Sequence, residues 1–98
     1  RTITPEVIID EVEKYYRLSK GSLVSKKRSN DIAYPRQIGM YICRELLEDP
    51  SFPKIGEVFG GRDHTTAMHN INKIKEKLNE DPDLDITIKE IVKNIKKG

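Results

Sequence analysis

With 98 residues the chain is one domain of modest size, able to bury roughly 60–70% of its unfolded surface in a single core. Its single cysteine excludes an intramolecular disulfide and fits a reducing, cytoplasmic setting, and no apolar run is long enough to cross a bilayer. The net charge of +2 excludes little, but its distribution is uneven: SKKRS at 25–29 is a basic knot, lysines crowd the C-terminus, and acids gather at 6–13 and 76–85.

The chain opens almost directly on a helix start, as a domain of a longer protein would, and residues 1–98 are expected to form one helical domain. Thr4 can cap, Pro5 takes the first helical position, and Ile8, Ile9, Val12, Tyr15 and Tyr16 follow at helical spacing to about Arg17. Gly21 and several serines punctuate 18–31, where GSLVS can form one short helical turn. The second long helix is predicted from about Ile32 to Glu48, with Pro35 tolerated in its first turn. Ile38, Tyr41, Ile42 and Leu46 form its apolar stripe, and Met40, Cys43 and Leu47 widen it into a helix buried on most sides. The narrow polar face carries Gln37, Arg44 and Glu48, with Arg36 near its top.

EDPSFP then breaks the chain. A short helix, Pro53 to Phe59, turns Ile55, Val58 and Phe59 inward, GGR makes a turn, and a long helix runs from Asp63 to Asn79. NEDPDLD breaks it again, and a last helix at about 84–96 carries Leu84, Ile88, Ile91, Val92 and Ile95. Strand signals are weak. The expected fold is all-α, a compact bundle of about five to six helices containing a helix-turn-helix.

The stretch FGGRDHTTAMHN, at 59–70, crowds hydrogen-bonding groups at one helix entrance. A phosphate loop would need Lys and Ser or Thr after the second glycine; Arg62 and Asp63 stand there, and no strand precedes Gly56. A metal pair on one helical face would be four residues apart, whereas His64 and His69 are five apart. No catalytic constellation is recognisable, so neither enzymatic chemistry, a cofactor nor a metal is expected within this domain. Asp63 suits an N-cap, but a cap alone does not explain His64, Thr65 and Thr66.

A short helix, a glycine turn and a longer helix can place the start of that longer helix in a DNA major groove. On its wheel, Ala67, Ile71, Ile74 and Leu78 line one side with Met68 at the margin, and Thr65, His69, Asn72, Lys73 and Glu76 line the other. Aspartate can accept from cytosine, threonine offers a hydroxyl and a methyl, histidine can bond a base or phosphate, and Lys73 suits backbone contact.

IGEVFGGRDHTTAMHNINKI, preceded by AYPRQIGMYICREL and SKKRS, resembles the C-terminal DNA-binding domain (domain IV) of DnaA, the bacterial chromosomal replication initiator. The likeness covers nearly the whole chain. It implies binding of double-stranded DNA at short asymmetric A·T-rich boxes of the replication origin. By the same resemblance, Asp63, His64, Thr65, Thr66 and Pro53 face bases in the major groove, and Arg28 enters the adjacent minor groove. Arg36, Gln37, Arg44 and His69 fall where the family holds phosphates. Lys26 and Lys27 add attraction through counterion release, and an A·T-rich minor groove favours an inserted arginine. Gly39 stands where the family usually has alanine, at about 1 kcal/mol of helix stability. Ala67 replaces a commoner valine or isoleucine, and Asn70 a small residue.

The resemblance further implies a parent protein whose ATP-binding module, absent from these residues, binds ATP or ADP and self-assembles. This domain would be monomeric and nucleoid-associated. The basic amphipathic C-terminal helix is the kind that can lie on a membrane, though a helix closing the core is the simpler expectation. The rival functions are a nonspecific nucleic-acid binder and a helical protein-interaction module. The first predicts binding without a sequence ratio, the second no salt-sensitive duplex binding.

Overall fold

A computed structural model describes residues 2–98. Among these residues there are five α-helices and one short 3-10 turn, with no strand. Helix α1 spans Pro5–Tyr15, the 3-10 turn Ser22–Val24, α2 Asn30–Leu46, α3 Phe52–Val58, α4 His64–Leu78 and α5 Pro82–Lys97. The all-α fold and the helix-turn-helix of the sequence reading are both present.

The boundaries move for identifiable reasons. Thr4 Oγ1 accepts the Val7 N–H at 3.2 Å and starts α1 as expected. The helix stops at Tyr15, two residues early, because Arg17 takes a left-handed backbone with φ 56°. The Leu18 N–H then returns to the Glu13 carbonyl at 2.8 Å and that of Arg17 to Lys14 at 3.1 Å, a Schellman ending. Arginine at that position lacks the glycine signal that normally announces such a stop.

Helix α2 begins at Asn30 rather than Ile32, which puts Pro35 in its second turn rather than its first. The N–H that proline lacks would have met the carbonyl of exposed Asp31. Ser51 Oγ accepts the Lys54 N–H and opens α3 at Phe52, with Pro53 second. Asp81 Oδ1 accepts from Asp83 and Leu84, which draws the start of α5 back to Pro82.

Helix α2 runs through the middle and touches every other helix and the 3-10 turn. Ile38, Met40, Ile42 and Cys43 are fully buried on it, as its wide stripe predicts. Tyr41, Leu46 and Leu47 sit at the core edge. The ring of Phe59 is fully buried against Gly39, where an added Cβ would lie 3.1 Å from Phe59 Cζ. The glycine that weakens α2 as a helix thus provides the flat backbone on which this ring rests. Burying such a ring contributes about 1.5–3 kcal/mol, more than the helix penalty.

The turn between α3 and α4 is tight. The Arg62 N–H bonds the Gly56 carbonyl at 2.8 Å, and a Cβ at 56 would collide with the Arg62 carbonyl oxygen. Gly60 and Gly61 both have positive φ, 83° and 75°. Among the described residues no helix is long and apolar enough to cross a membrane.

Candidate nucleic-acid interface

Asp63 ends the turn in extended backbone, and its Oδ1 accepts the Thr66 N–H at 2.8 Å. That bond, the Thr66 hydroxyl and the adjacent His64 hold the carboxyl below its ordinary range, so it is an anion at neutral pH. His64, Thr65 and Thr66 complete the tip and are all exposed. His64 Nε2 lies 3.5 Å from Thr65 Oγ1, too long to fix the ring. The expected two faces of α4 hold. Ala67, Ile71 and Ile74 are buried, while Thr65, His69, Asn72, Lys73 and Glu76 are exposed. Asn70 lies between, its amide 3.4 Å from Met40 Sδ.

The basic loop lies beside this tip. Lys26, Lys27 and Arg28 are exposed. An open groove of about 450 Å³ is lined by Lys26 and Arg28 of the loop, Arg36 and Gln37 of α2, Arg62 of the turn, and Thr66 of α4. Gln37 also lines a second groove, of about 640 Å³, together with Asn30, Tyr34, Lys73 and Lys77. The Lys77 ammonium stands 4.8 Å over the Tyr34 ring on that side. Residues from four separate stretches of sequence thus meet along one polar strip.

Arg36, which the sequence places near the top of a polar face, is largely buried, only 4% exposed. Its Nε donates to the Leu23 carbonyl at 2.8 Å, and its Nη2 to the Ser25 and Ser22 carbonyls at 3.0 and 3.4 Å. Burial first, and then the Arg62 cation, pull its guanidinium down from the ordinary value, yet an arginine stays charged. Its work is to hold the loop's backbone.

Arg44 is also anchored. Its Nη1 donates to the Pro50 carbonyl at 2.7 Å and its guanidinium stacks 4.3 Å over Phe52. That fixes the start of α3, where Pro53 is exposed. Pro53 and Arg44 do not line either groove, and of the α4 tip only Thr66 does.

Two supporting residues escaped the sequence reading. Glu13 is only 3% exposed, and its Oε2 accepts from the Gly21 and Leu23 N–H groups at 3.0 and 3.2 Å. It satisfies donors that a 3-10 turn leaves open at its start. An acid one helical turn from Ile9, on the inner face of α1, was the available signal. Arg62 donates to the Phe59 carbonyl through Nη1 and to the Ser25 carbonyl, at 2.8 Å, through Nη2. Ser25 is 37 positions away, and no local pattern marks such a contact.

The family model described as bacterial dnaA protein helix-turn-helix matches residues 5–74. The chain belongs to this family. The match takes in α1, the basic loop, α2, α3 and all but the end of α4, and so every candidate residue above. As a DnaA helix-turn-helix the domain is a DNA-binding element. Its α3–turn–α4 unit is the helix-turn-helix itself, and α5 lies beyond the matched residues.

Proposed function

We propose that this domain reads short asymmetric A·T-rich boxes in double-stranded DNA of a bacterial replication origin, and so contributes to initiation. The observation that carries the reading is the groove joining the exposed α4 tip, through Thr66, to Lys26 and Arg28 of the loop. In this reading Asp63, His64, Thr65 and Thr66 face base edges in the major groove, with Pro53 beside them. Arg28 enters the neighbouring minor groove. Lys26, Lys27, Gln37, Arg44, His69 and Lys73 meet phosphates. Arg36 supports the loop through Nε and Nη2, which serve three carbonyls, and its Nη1 is left for the phosphate contact at the groove it lines. The domain binds as a monomer. The parent protein supplies ATP or ADP binding and self-assembly through a module outside these residues, in the cytoplasm at the nucleoid.

The test is a mobility-shift titration of the domain against a duplex selected from a random pool and a scrambled counterpart, at two salt concentrations. A preference for an A·T-rich selected site that survives the higher salt is expected. Equal affinity for both duplexes at both salts sinks the reading and leaves a nonspecific binder. No salt-sensitive binding at all points to a protein-interaction module.

A further inference from the structure

Position 62 shows a connection that a helix-turn-helix does not require. Its arginine is half-buried and reaches in two directions. Nη1 donates back to the Phe59 carbonyl, where α3 ends, and Nη2 crosses to the Ser25 carbonyl, where the basic loop begins. The backbones meet at the same place. A Cβ on Gly60 would collide with the Val24 carbonyl oxygen, so the turn and the loop touch without an intervening side chain. The remaining supports of the loop come from elsewhere, Glu13 of α1 and Arg36 of α2. Arg62 alone among these ties it to the segment that leads directly into the α4 tip.

We propose that Arg62 is a positioning residue that locks the loop carrying Arg28 to the tip of α4, so that the minor-groove and major-groove readers meet DNA as one rigid unit. This rests on the reading above for the identity of the two readers. Arg28 stands three residues beyond the bonded Ser25 carbonyl, with no further buried anchor in between, because Lys26 and Lys27 are exposed. Holding the loop in place before binding lowers the ordering entropy that insertion would otherwise cost. The planar guanidinium suits this role, since two of its nitrogens bridge two carbonyls at a fixed separation, which a point-like ammonium does not reproduce.

Four variants of the domain test this: Arg62→Met, Arg62→Lys, Arg28→Ala and Arg62→Met with Arg28→Ala. Urea unfolding checks that each is folded, and the lysine variant carries the test if the methionine variant is not. Arg62→Met is expected to weaken binding to the selected duplex roughly tenfold, the scale of one misread base pair, with scrambled-duplex affinity and salt slope unchanged. Arg62→Lys keeps the charge and is expected to lose as much. In the Arg28→Ala background, Arg62→Met should produce no further loss, because the reader it positions is already gone. Losses that multiply in the double variant, full rescue by lysine, or a salt slope lowered by about one overturn the proposal; the last marks a direct phosphate contact. A second readout needs no DNA. Backbone order parameters of Lys26–Arg28 should fall from rigid values near ~0.85 to below ~0.6 in Arg62→Met or Arg62→Lys, while those of α4 stay high. A loop that remains rigid in both variants refutes the tie. A loop that loosens in a domain whose wild type does not discriminate duplexes leaves the mechanical tie standing and fails the reading of function instead.

Discussion

Arg36 and Arg62 donate to one and the same oxygen. Their Nη2 atoms lie 3.0 and 2.8 Å from the Ser25 carbonyl, one arriving from α2 and the other from the turn before α4. Two cations are tolerable so close together because backbone carbonyls at 22, 23, 25 and 59 point at them. Glu13 draws in the opposite end of the same segment through its N–H groups. The segment that leads into the basic loop is therefore braced by a carboxylate at its start and by two guanidiniums at Ser25, where the loop begins.

Removing the buried brace should register as stability. Arg36→Met leaves the Leu23 carbonyl without its guanidinium donor, while the Ser25 carbonyl keeps Arg62, and is expected to cost about 1.5–3 kcal/mol in urea unfolding. Gln37→Ala, next along α2, should change stability by no more than about 0.5 kcal/mol while weakening DNA binding. Unchanged stability in Arg36→Met would leave that residue the phosphate contact alone.

The glycines of the turn are not equivalent. Gly56→Ala drives a methyl into the Arg62 backbone, with the Asp63 carbonyl oxygen also only 3.0 Å away. Overpacking against backbone that cannot yield is expected to cost at least about 1–3 kcal/mol and to disrupt DNA binding. Gly61→Ala meets nothing within 4 Å and carries only the strain of its positive φ, roughly 1 kcal/mol. Equal thermal shifts in the two variants would contradict this account.

The readers and the charge suppliers should separate in DNA titrations. Thr65→Ala and His64→Ala are each expected to lose roughly 1–3 kcal/mol on the selected duplex and little on the scrambled one. Arg28→Ala should lose A·T preference at one end of the site. Lys27→Ala should weaken both duplexes together and lower the salt slope by about one. If Arg28→Ala and Lys27→Ala behave alike, the loop supplies charge only.

The Asp63 cap predicts an acid limb in stability. Its carboxyl is held below 3.8 in the folded state, chiefly by the Thr66 N–H. A depressed carboxyl contributes stability that is complete above the unfolded-state value and is lost as the pH falls through the folded one. The difference in melting temperature between the wild type and Asp63→Asn should therefore be flat above about pH 5 and decline as the pH drops below 3.8. A pH-independent difference would remove the charge from the cap.

Cys43 should resist thiol reagents in the native domain. It is fully buried, and burial, helped by Glu6, pushes its thiol from 9.0 up to about 12. At fixed pH its thiolate population falls by about a thousandfold, before any effect of access. Labelling at pH 8 should be slow in buffer and fast in urea. Prompt labelling of the folded protein would mean that α2 opens readily.

Helix identities were legible because apolar spacing and caps agreed over long stretches. Thr4 and Asp63 accept the N–H groups their positions suggest. The two faces of α4 could be read from the wheel alone. The end of α1 was not legible, because the left-handed residue is Arg17 rather than glycine. The supports of the site were hidden for a related reason. A buried arginine such as Arg36 looks like any polar-face arginine until the carbonyls it serves, 11 to 14 positions away, are in view. Exposed readers need only a helix to be placed, whereas supporting contacts need the tertiary fold.

The nesting of Phe59 on Gly39 has a bearing on how segments of such domains can be exchanged. The ring lies on bare backbone, and a methyl at 39 would sit 3.1–3.2 Å from two of its carbons. A chimaera that grafts 30–46 from a relative carrying alanine there, yet keeps 52–62 of this chain, must tilt the ring or lift the end of α3 by a few tenths of an ångström. Lifting the end of α3 would shift the turn that leads into α4. Residues 39 and 59 are thus transplantable as a pair and not one at a time, although neither is placed to touch DNA.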